Sequence, residues 1–317
     1  MSASTPPNTS NRIRSVTIEG FRSLKHIQNL ELPPLTVLIG ANGAGKSTLI
    51  RFFEMLSWML KAKGLQEFVL RHGGGDDLFF MGARSTARIQ AVICTALDGM
   101  NFKYGFALDY LPARDSVLIL GEYWQCEQHV FPVRALTSYL GGTSLESLLP
   151  GVDDPDAQAL CRFFSRCATY QFHDTSPLAN IHKRWDVTES FRLRSDGGNL
   201  AAVLLDLRNM DSKRYELIVK QISRVLPTFK DFVLVEEAGK VLLRWVGRQS
   251  DKVFGSHLTS DGSLRLFCLL TLLNLPPERL PNVMFFDEPE LGLHPHAITL
   301  VAEMFKRLSK KRQIFIA

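Results

Sequence analysis

Residues 40–47 read Gly40-Ala41-Asn42-Gly43-Ala44-Gly45-Lys46-Ser47, which fits the phosphate-binding pattern G-x-x-x-x-G-K-[ST]. The apolar residues 35–39 before the motif predict a buried strand, and the residues from Thr48 onward predict a helix. Glycines let backbone N–H groups turn toward phosphate oxygens, and a helix N-terminus adds a positive dipole. The motif therefore predicts a nucleotide-binding site.

The residues of this phosphate loop have distinct expected roles. The Lys46 ammonium is expected to reach the β- and γ-phosphates and to assist catalysis, and the Ser47 hydroxyl is expected to bind Mg²⁺. Further contacts to the nucleotide are expected from the rest of the loop: Gly40, Asn42, Gly43, Ala44, Gly45 and Thr48.

A second motif lies at residues 283–288, where four apolar residues are followed by Asp287 and Glu288. Such runs are typical of strands that are buried on both faces of a parallel sheet. Because ligands of these sheets bind at the carboxyl ends of the strands, the two carboxylates are expected to face the nucleotide. Asp287 is expected to hold Mg²⁺, directly or through water, and Glu288 to polarise the water that attacks the γ-phosphate.

A third motif precedes an apolar helix expected at residues 263–275. Ser260, Asp261 and Gly262 stand at its start, and either Ser260 or Asp261 is able to cap it. Alone, this segment predicts only a helix cap. It lies shortly before the acidic strand, however, which is the order found in ATPases of the ABC type.

The remaining pattern predicts an α/β fold. Period-two alternation over residues 87–133 predicts antiparallel strands with a hairpin at Asp98-Gly99, and residues 231–245 predict a second hairpin across Ala238-Gly239. Residues 141–155 are rich in Gly, Ser and Pro and predict an exposed excursion.

Together the motifs resemble those of bacterial AAA ATPases with an ABC-type head, relatives of RecF, SMC and OLD proteins. The matching segments are residues 20–24, 40–47, 170–176, 195–200, 258–265 and 287–295. The resemblance implies an α/β, ABC-type P-loop ATPase head with a mixed-sheet core, an antiparallel β insert and a helical lobe, without a coiled coil. The implied division is a disordered leader (1–11) and a head (12–317). Within the head, the front lobe comprises about 12–140 together with the core strands of 281–317, and the helical lobe comprises about 141–280.

The resemblance also implies a mechanism and partners. Two heads dimerise face to face around two ATP molecules and Mg²⁺, so that Ser260, Asp261 and Gly262 act on the nucleotide of the opposite subunit. Residues 290–294 then cross the dimer seam. Members of this group often accompany a nuclease or TOPRIM-like partner in anti-phage systems, which implies an effector partner of that kind.

Two features of the family pattern stay open in this sequence. ABC-type heads usually contact Mg²⁺ with a Gln after the first lobe, and Gln171, His173 and Asp174 are all candidates at a strand expected over residues 169–173. In addition, the sequence stops at Ala317 on an apolar strand, where the family continues into a switch segment. A truncated C-terminal end is therefore expected.

Composition narrows the remaining function classes. The 317 residues carry a net charge of +5, which permits nucleic-acid binding without demonstrating it, and a basic stretch at residues 306–312 is typical of a solvated helix face. No apolar run approaches the roughly 20 residues of a membrane span, so a cytoplasmic protein without membrane contact is expected. A RecF-like repair ATPase that binds DNA directly is the main alternative. A transporter subunit is disfavoured because Asp261 departs from the usual S-G-G-Q signature.

Overall fold

The computed structural model describes residues 11–61, 64–126, 134–135 and 143–317. Of the leader predicted at residues 1–11, all but Asn11 lies outside the described residues. The helices are α1 (Lys46–Met59), α2 (Leu65–Arg71), α3 (Pro155–Ser165), α4 (Leu200–Met210), α5 (Ser212–Val225), α6 (Asp261–Leu273) and α7 (Pro295–Leu308). None of the helices in these ranges is long and apolar enough to cross a bilayer.

The strands form one large antiparallel sheet, one parallel sheet and two small antiparallel sheets. In chain order they are β1 (Arg12–Phe21), β2 (Leu24–Glu31), β3 (Leu35–Val37), β4 (Arg88–Leu97), β5 (Met100–Leu111), β6 (Ser116–Cys126), β7 (Arg134–Ala135), β8 (Cys167–Tyr170), β9 (Trp185–Asp186), β10 (Phe229–Phe232), β11 (Glu236–Glu237), β12 (Lys240–Val241), β13 (Arg244–Gly247), β14 (Ser250–Gly255), β15 (Val283–Phe286) and β16 (Gln313–Ile316).

The large antiparallel sheet has the order β2-β1-β4-β5-β6-β7. Its central hairpin pairs Leu97 with Met100 across Asp98 and Gly99, whose φ values are 49° and 85°. Two consecutive positive φ values are the signature of the type I′ turn, which matches the twist of the flanking strands. The hairpin predicted at Asp98-Gly99 is therefore confirmed. The part of the predicted strand that follows Cys126 lies outside the described residues.

The parallel sheet has the order β3-β16-β15-β8 and determines where the site lies. Phe286 pairs with Ile316 on one side and with Tyr170 on the other, and Ile316 pairs with Val37. All four strands therefore end in one row. The loops that leave this row carry the phosphate loop, the segment after β8 and the acidic pair after β15.

The two faces of the parallel sheet cover two separate hydrophobic cores. Alternate residues of β15 point to opposite faces, so Phe285 packs in the core that includes the antiparallel sheet and α1, whereas Phe286 packs in the core of α4–α7. The Phe53 ring of α1 stacks on Phe285 at 4.9 Å, and Phe305 of α7 meets Phe286 edge-on at 4.7 Å. Both faces of β15 are buried, as the apolar run predicted.

Gln313 joins the two sheets at the start of β16. Its side chain is buried, accepts from the Ile13 N–H (2.8 Å) and donates to the carbonyls of Ile13 (2.7 Å) and Leu32 (3.0 Å). Buried main-chain groups at the edge of both sheets are thus satisfied by one amide.

Replacing Gln313 with Leu should lower the free energy of unfolding by about 3 kcal/mol, because it leaves one buried N–H and two buried carbonyls without this partner. Urea unfolding followed by circular dichroism measures this. The exposed Gln125 of β6 provides the control, and Gln125→Leu should change the midpoint little. Equal midpoints for the two variants would contradict the assignment.

Several predictions need correction. The buried strand predicted at residues 35–39 is wrong, because β3 ends at Val37 and the side chains of Val37 and Ile39 are 53% and 92% exposed. The hairpin around Ala238-Gly239 keeps one register, with Phe232 opposite Trp245 and Glu236 opposite Val241, but it is interrupted between these pairs. The interruption coincides with the Leu234 carbonyl, which accepts a hydrogen bond from Arg208 instead (2.7 Å). As a result, β11 and β12 form one small sheet with β9, whereas β10 and β13 form another with β14.

The excursion predicted for residues 141–155 is wrong for the part that the structure describes. Leu149 is fully buried, and Ser144 bridges to Ile119 of β6. The cause is Glu122, a buried carboxylate that accepts hydrogen bonds from Ser147 Oγ and from the Leu148 N–H (2.9 Å). A buried carboxylate needs such donors, and this segment supplies them.

Candidate nucleotide-binding site

The phosphate loop connects β3 to α1. Gly43 and Gly45 have φ values of 80° and 94°, in the left-handed region that glycine adopts without strain. Gly45 is the N-cap of α1, and a Cβ there would lie 2.7 Å from Leu24 Cδ2. Beside it, Ser23 Oγ lies 2.7 Å from Thr48 Oγ1. The turn between β1 and β2 thus packs directly against the phosphate loop and supports its shape.

Two side chains at the start of α1 point to oxygen atoms. Lys46 Nζ donates to the carbonyls of Gly40 (2.8 Å) and Ala41 (3.0 Å), which places the ammonium inside the loop. Ser47 Oγ donates to Asp287 Oδ1 at 2.8 Å. The structure therefore brings Lys46, Ser47 and Asp287 together. Asn42 and Ala44 lie exposed in the loop between them.

Asp287 is the centre of the hydrogen-bond network at the row of strand ends. Besides Ser47, its carboxylate accepts from Gln171 Nε2 at 3.1 Å, and its main-chain carbonyl lies 2.8 Å from His173 Nε2. A carbonyl only accepts, so His173 carries its proton on Nε2 in this contact. Serine hydroxyl, carboxylate and glutamine amide thus converge within hydrogen-bond distance.

The strand predicted over residues 169–173 ends earlier, at Tyr170. The Gln171 N–H donates to the Ser195 carbonyl (3.0 Å) instead of continuing the ladder. Gln171 is therefore the first residue beyond the strand, as Asp287 is beyond β15. Asp174 turns away and accepts from the Ser176 N–H (3.1 Å). The hydrogen bonds from the Ser176 hydroxyl and N–H lower the pKa of the Asp174 carboxyl.

Glu288 occupies a strained position next to Asp287. Its φ is 44°, a left-handed value that is uncommon for a residue with a side chain, and its N–H donates to the Ala317 carbonyl (2.8 Å). Such strain clusters at functional sites. The carboxylate is exposed and has no hydrogen bond or ion pair with any residue that the structure describes. It lines a cavity of about 480 Å³ together with Gly40, Asn42 and Lys46.

The third motif forms the N-terminus of α6. Ser260 is the N-cap, and its Oγ accepts from the Ser263 N–H at 3.3 Å; Ser260 and Asp261 are exposed. Gly262 is in close contact with the loop after β15, because a Cβ on Gly262 would lie 2.1 Å from the Gly292 carbonyl oxygen. The hydrogen bonds of Ser260 stay within its own segment.

Arg265, the last residue of the matching segment 258–265, has a role that the motif does not predict. Its guanidinium donates to the carbonyls of Phe172 (3.1 Å), His173 (3.3 Å) and Leu291 (3.0 Å). It thereby ties α6 to the segment after β8 and to the loop after β15. Ser23, in the matching segment 20–24, likewise makes a contact with Thr48 that the motif does not predict. The only sequence signal for either residue is the motif itself, because these contacts span distant parts of the chain.

Two family models match parts of this chain. Residues 171–317 match the family model described as "AAA domain, putative AbiEii toxin, Type IV TA system", and residues 12–82 match the model described as "AAA ATPase domain". No curated protein matches the chain significantly.

Solved structures show the fold. An SMC head bound to the C-winged helix domain of ScpA aligns over 96% of this chain and 88% of its own, with 15% identity and a TM-score of 0.55. The SMC head with an extended coiled coil, bound to the C-terminal domain of ScpA from Pyrococcus furiosus, covers 96% and 89%, at 15% identity and a TM-score of 0.50. The fold is that of an ABC-type ATPase head. The predicted α/β fold of an ABC-type head is confirmed, and its predicted lack of a coiled coil stays a prediction. Two segments of the chain match AAA-type ATPase models.

Proposed function

We propose that this protein binds ATP with Mg²⁺ and hydrolyses it. The observation that carries the proposal is the contact of Ser47 and Gln171 with the two oxygens of Asp287 (2.8 and 3.1 Å), beside a phosphate loop that holds Lys46. Hydroxyl, carboxylate and amide oxygens are the ligands that Mg²⁺ prefers. Gln171 is favoured over His173 and Asp174 as the further ligand, because among the three only its side chain contacts the Asp287 carboxylate. That contact is made by Nε2, so the amide would turn to present Oε1 to the ion.

The donor set fits a Mg²⁺ ion that is shared with a nucleotide. Among the described residues, no cluster of three or more His, Cys, Asp or Glu side chains is able to hold a metal ion. Mg²⁺ commonly binds through one or two carboxylates and is otherwise held by substrate phosphates and water. When bound, the ion would neutralise charge that develops on the phosphates.

Within this proposal the residues of the chain have separate tasks. The backbone N–H groups of the phosphate loop and the Lys46 ammonium bind the phosphates. When it does so, Lys46 replaces its hydrogen bonds to the Gly40 and Ala41 carbonyls with hydrogen bonds to phosphate oxygens. Glu288 accepts a proton from, and orients, the attacking water. Two observations support that role: the Glu288 carboxylate has no partner among the described residues, and it lies in the cavity beside Lys46.

We propose further that hydrolysis takes place in a head-to-head homodimer. Ser260 and Asp261 are exposed at the N-terminus of α6, where unpaired N–H groups and the helix dipole favour an anion. In the dimer this terminus contacts the γ-phosphate held by the other subunit. Gly262, packed on Gly292, links that contact to the loop that follows Glu288.

Gly262→Ala should therefore lower ATP turnover by about 100-fold and abolish ATP-dependent dimerisation. The added methyl group meets backbone at 2.1 Å, so the helix start or the loop must move, and displacement of about 1 Å has effects of that size. Light scattering with ATP measures dimerisation. Equilibrium binding of a fluorescent ATP analogue shows whether the loss of turnover and dimerisation reflects a loss of ATP binding. Monomer binding of ATP should persist.

Gly151→Ala is the matched control, because a Cβ at Gly151 meets nothing within 4 Å and its φ is not positive. This control should dimerise and hydrolyse ATP as the unmodified protein does. A Gly262→Ala protein with unchanged turnover would contradict the role of α6 in the site.

We propose that ATP-dependent dimerisation and hydrolysis act as a switch. This switch controls a partner effector of the nuclease type in anti-phage defence, inside the cytoplasm. Support comes from the family description of residues 171–317, which names an AbiEii toxin and a type IV toxin–antitoxin system, and from SMC heads, which are bound to ScpA in the solved structures. Affinity purification from the native cell, followed by phage challenge of cells with and without Lys46→Ala, tests this. Equal phage protection by both proteins would contradict it.

The two cores suggest how the lobes are divided. We propose that the helical lobe begins after Cys167 rather than at about residue 141, because α3 packs in the first core together with the antiparallel sheet. The second core starts at Tyr170 and includes α4–α7. The parallel sheet, with the site at its end, lies between the lobes.

A further inference from the structure

The amino ends of the parallel strands, opposite the nucleotide site, carry a row of polar residues. Arg166, Asn282 and Arg312 directly precede β8, β15 and β16. They lie side by side, because the first residues of these three strands are paired in register, Val283 with Cys167 and with Gln313. We refer to Arg166, Asn282 and Arg312 as the arginine row.

The two guanidinium groups of this row have no acidic partner in the part of the chain that the structure describes. Among the described residues, neither Arg166 nor Arg312 forms an ion pair, and the Nε of each is buried without a hydrogen-bond partner. Arg312 uses its other nitrogens on the carbonyls of Pro277 (2.9 Å) and Lys311 (3.2 Å). Burial lowers the pKa of Arg312, and the positive charge of Arg166 lowers it further. Two like charges, partly removed from water, are thus placed together.

A cavity of about 260 Å³ adjoins the row at Arg166. Its polar lining includes Arg162, Ser165 and Asn282. The single carboxylate in this lining, Asp98, accepts a hydrogen bond from Asn11 Nδ2 at 3.2 Å. Arg162 is exposed and also forms no ion pair among the described residues. Cations therefore outnumber anions around a space that is large enough for a phosphate group.

We infer that the arginine row and this cavity bind a phosphate group, at a site separate from the nucleotide site. The guanidinium is a planar fork of donors that matches phosphate oxygens. An anion in the cavity would lie beside Arg162 and Arg166, which have no acidic partner among the described residues, and would offset the repulsion between Arg166 and Arg312. The exposed Lys310 and Lys311 extend positive charge from the row along the surface, as a phosphodiester chain would require.

The test compares two double variants that remove the same charge. Arg162→Gln/Arg166→Gln alters the proposed site, and neither side chain makes a hydrogen bond to a described residue that its loss would break. Lys220→Gln/Arg224→Gln alters exposed cations on α5, which lie in a different surface cleft. Both are made in the Lys46→Ala protein, so that phosphate binding at the phosphate loop is weakened and is the same in the two variants. The urea midpoint of each variant checks that it is folded.

The probes are a fluorescein-labelled single-stranded oligonucleotide, pyrophosphate and polyglutamate. We expect phosphate compounds to bind and Arg162→Gln/Arg166→Gln to weaken binding at least about tenfold, with a shallower salt dependence, while the α5 variant changes it little. If the oligonucleotide binds, the phosphate group that the site recognises belongs to a phosphodiester chain. If only pyrophosphate binds, the ligand is a free phosphate compound. The inference is overturned if neither binds, if both double variants weaken binding equally, or if polyglutamate binds as well as the phosphate compounds.

Discussion

Glu288→Gln should lower the rate of ATP hydrolysis at least about 100-fold while ATP binding persists. The amide keeps the size of the side chain and its place in the cavity beside Lys46, but it does not accept a proton from water, and such proton transfer contributes about 10²- to 10⁴-fold. ATP binding depends on the phosphate loop and is not expected to fall. If the proposed dimer opens only after hydrolysis, this variant should also accumulate as an ATP-bound dimer in light scattering.

The exposed Glu303 of α7 offers a control of the same charge, and Glu303→Gln should leave turnover within about twofold of the unmodified protein. Two results would contradict the proposal. One is a Glu288→Gln protein that hydrolyses ATP at more than half the normal rate. The other is a Glu288→Gln protein whose mass in solution is the same with and without ATP, which would argue against the dimer.

Lys46→Ala should weaken ATP binding by about 10- to 100-fold and abolish measurable turnover. The ammonium already donates to two carbonyls inside the loop, at 2.8 and 3.0 Å, so it is positioned where phosphate oxygens would bind. A hydrogen bond to a charged group is worth about 1.5 to 3 kcal/mol, which corresponds to that range of affinity. Isothermal titration with ATP and Mg²⁺ measures the change.

Loss of binding must be separated from loss of folding. The carbonyls that Lys46 contacts belong to exposed loop residues, so the urea midpoint should stay close to that of the unmodified protein. Lys306→Ala removes an equivalent charge from the exposed face of α7 and should bind ATP normally. Normal ATP affinity and full activity in Lys46→Ala would overturn the ATPase proposal as a whole.

The sequence predicts the centre of this site well because its signals are local. The phosphate loop lies between a strand and a helix within a few residues, and four apolar residues before Asp287 suffice to indicate a doubly buried strand. In a parallel sheet, strand ends share an edge, so two separate motifs are brought together by topology alone. The structure places Ser47 and Asp287 in contact, as that reasoning requires.

The position of the glutamine was not predictable from the same signals. Residues 169–173 alternate in a way that fits a longer strand, and only the hydrogen bond from the Gln171 N–H to Ser195 ends it at Tyr170. Likewise, a Gly- and Ser-rich composition predicts that the residues after 142 are exposed to solvent. The buried Glu122, distant in sequence, recruits Ser147 and Leu148 as donors instead. In both cases a long-range hydrogen bond overrides the local pattern.

The pairing of β3 with β16 has a consequence for how the protein is made. Leu35, just before the phosphate loop, pairs with Ile314, and Gln313 bonds to Ile13, a separation of 300 residues. Contacts between such distant parts of a chain form slowly, and domains are synthesised from the N-terminus. A ribosome-bound chain therefore carries its phosphate loop long before the neighbouring strand exists. The site in which Ser47 contacts Asp287, beside the paired strands β3 and β16, is therefore complete only after the last strand has been synthesised.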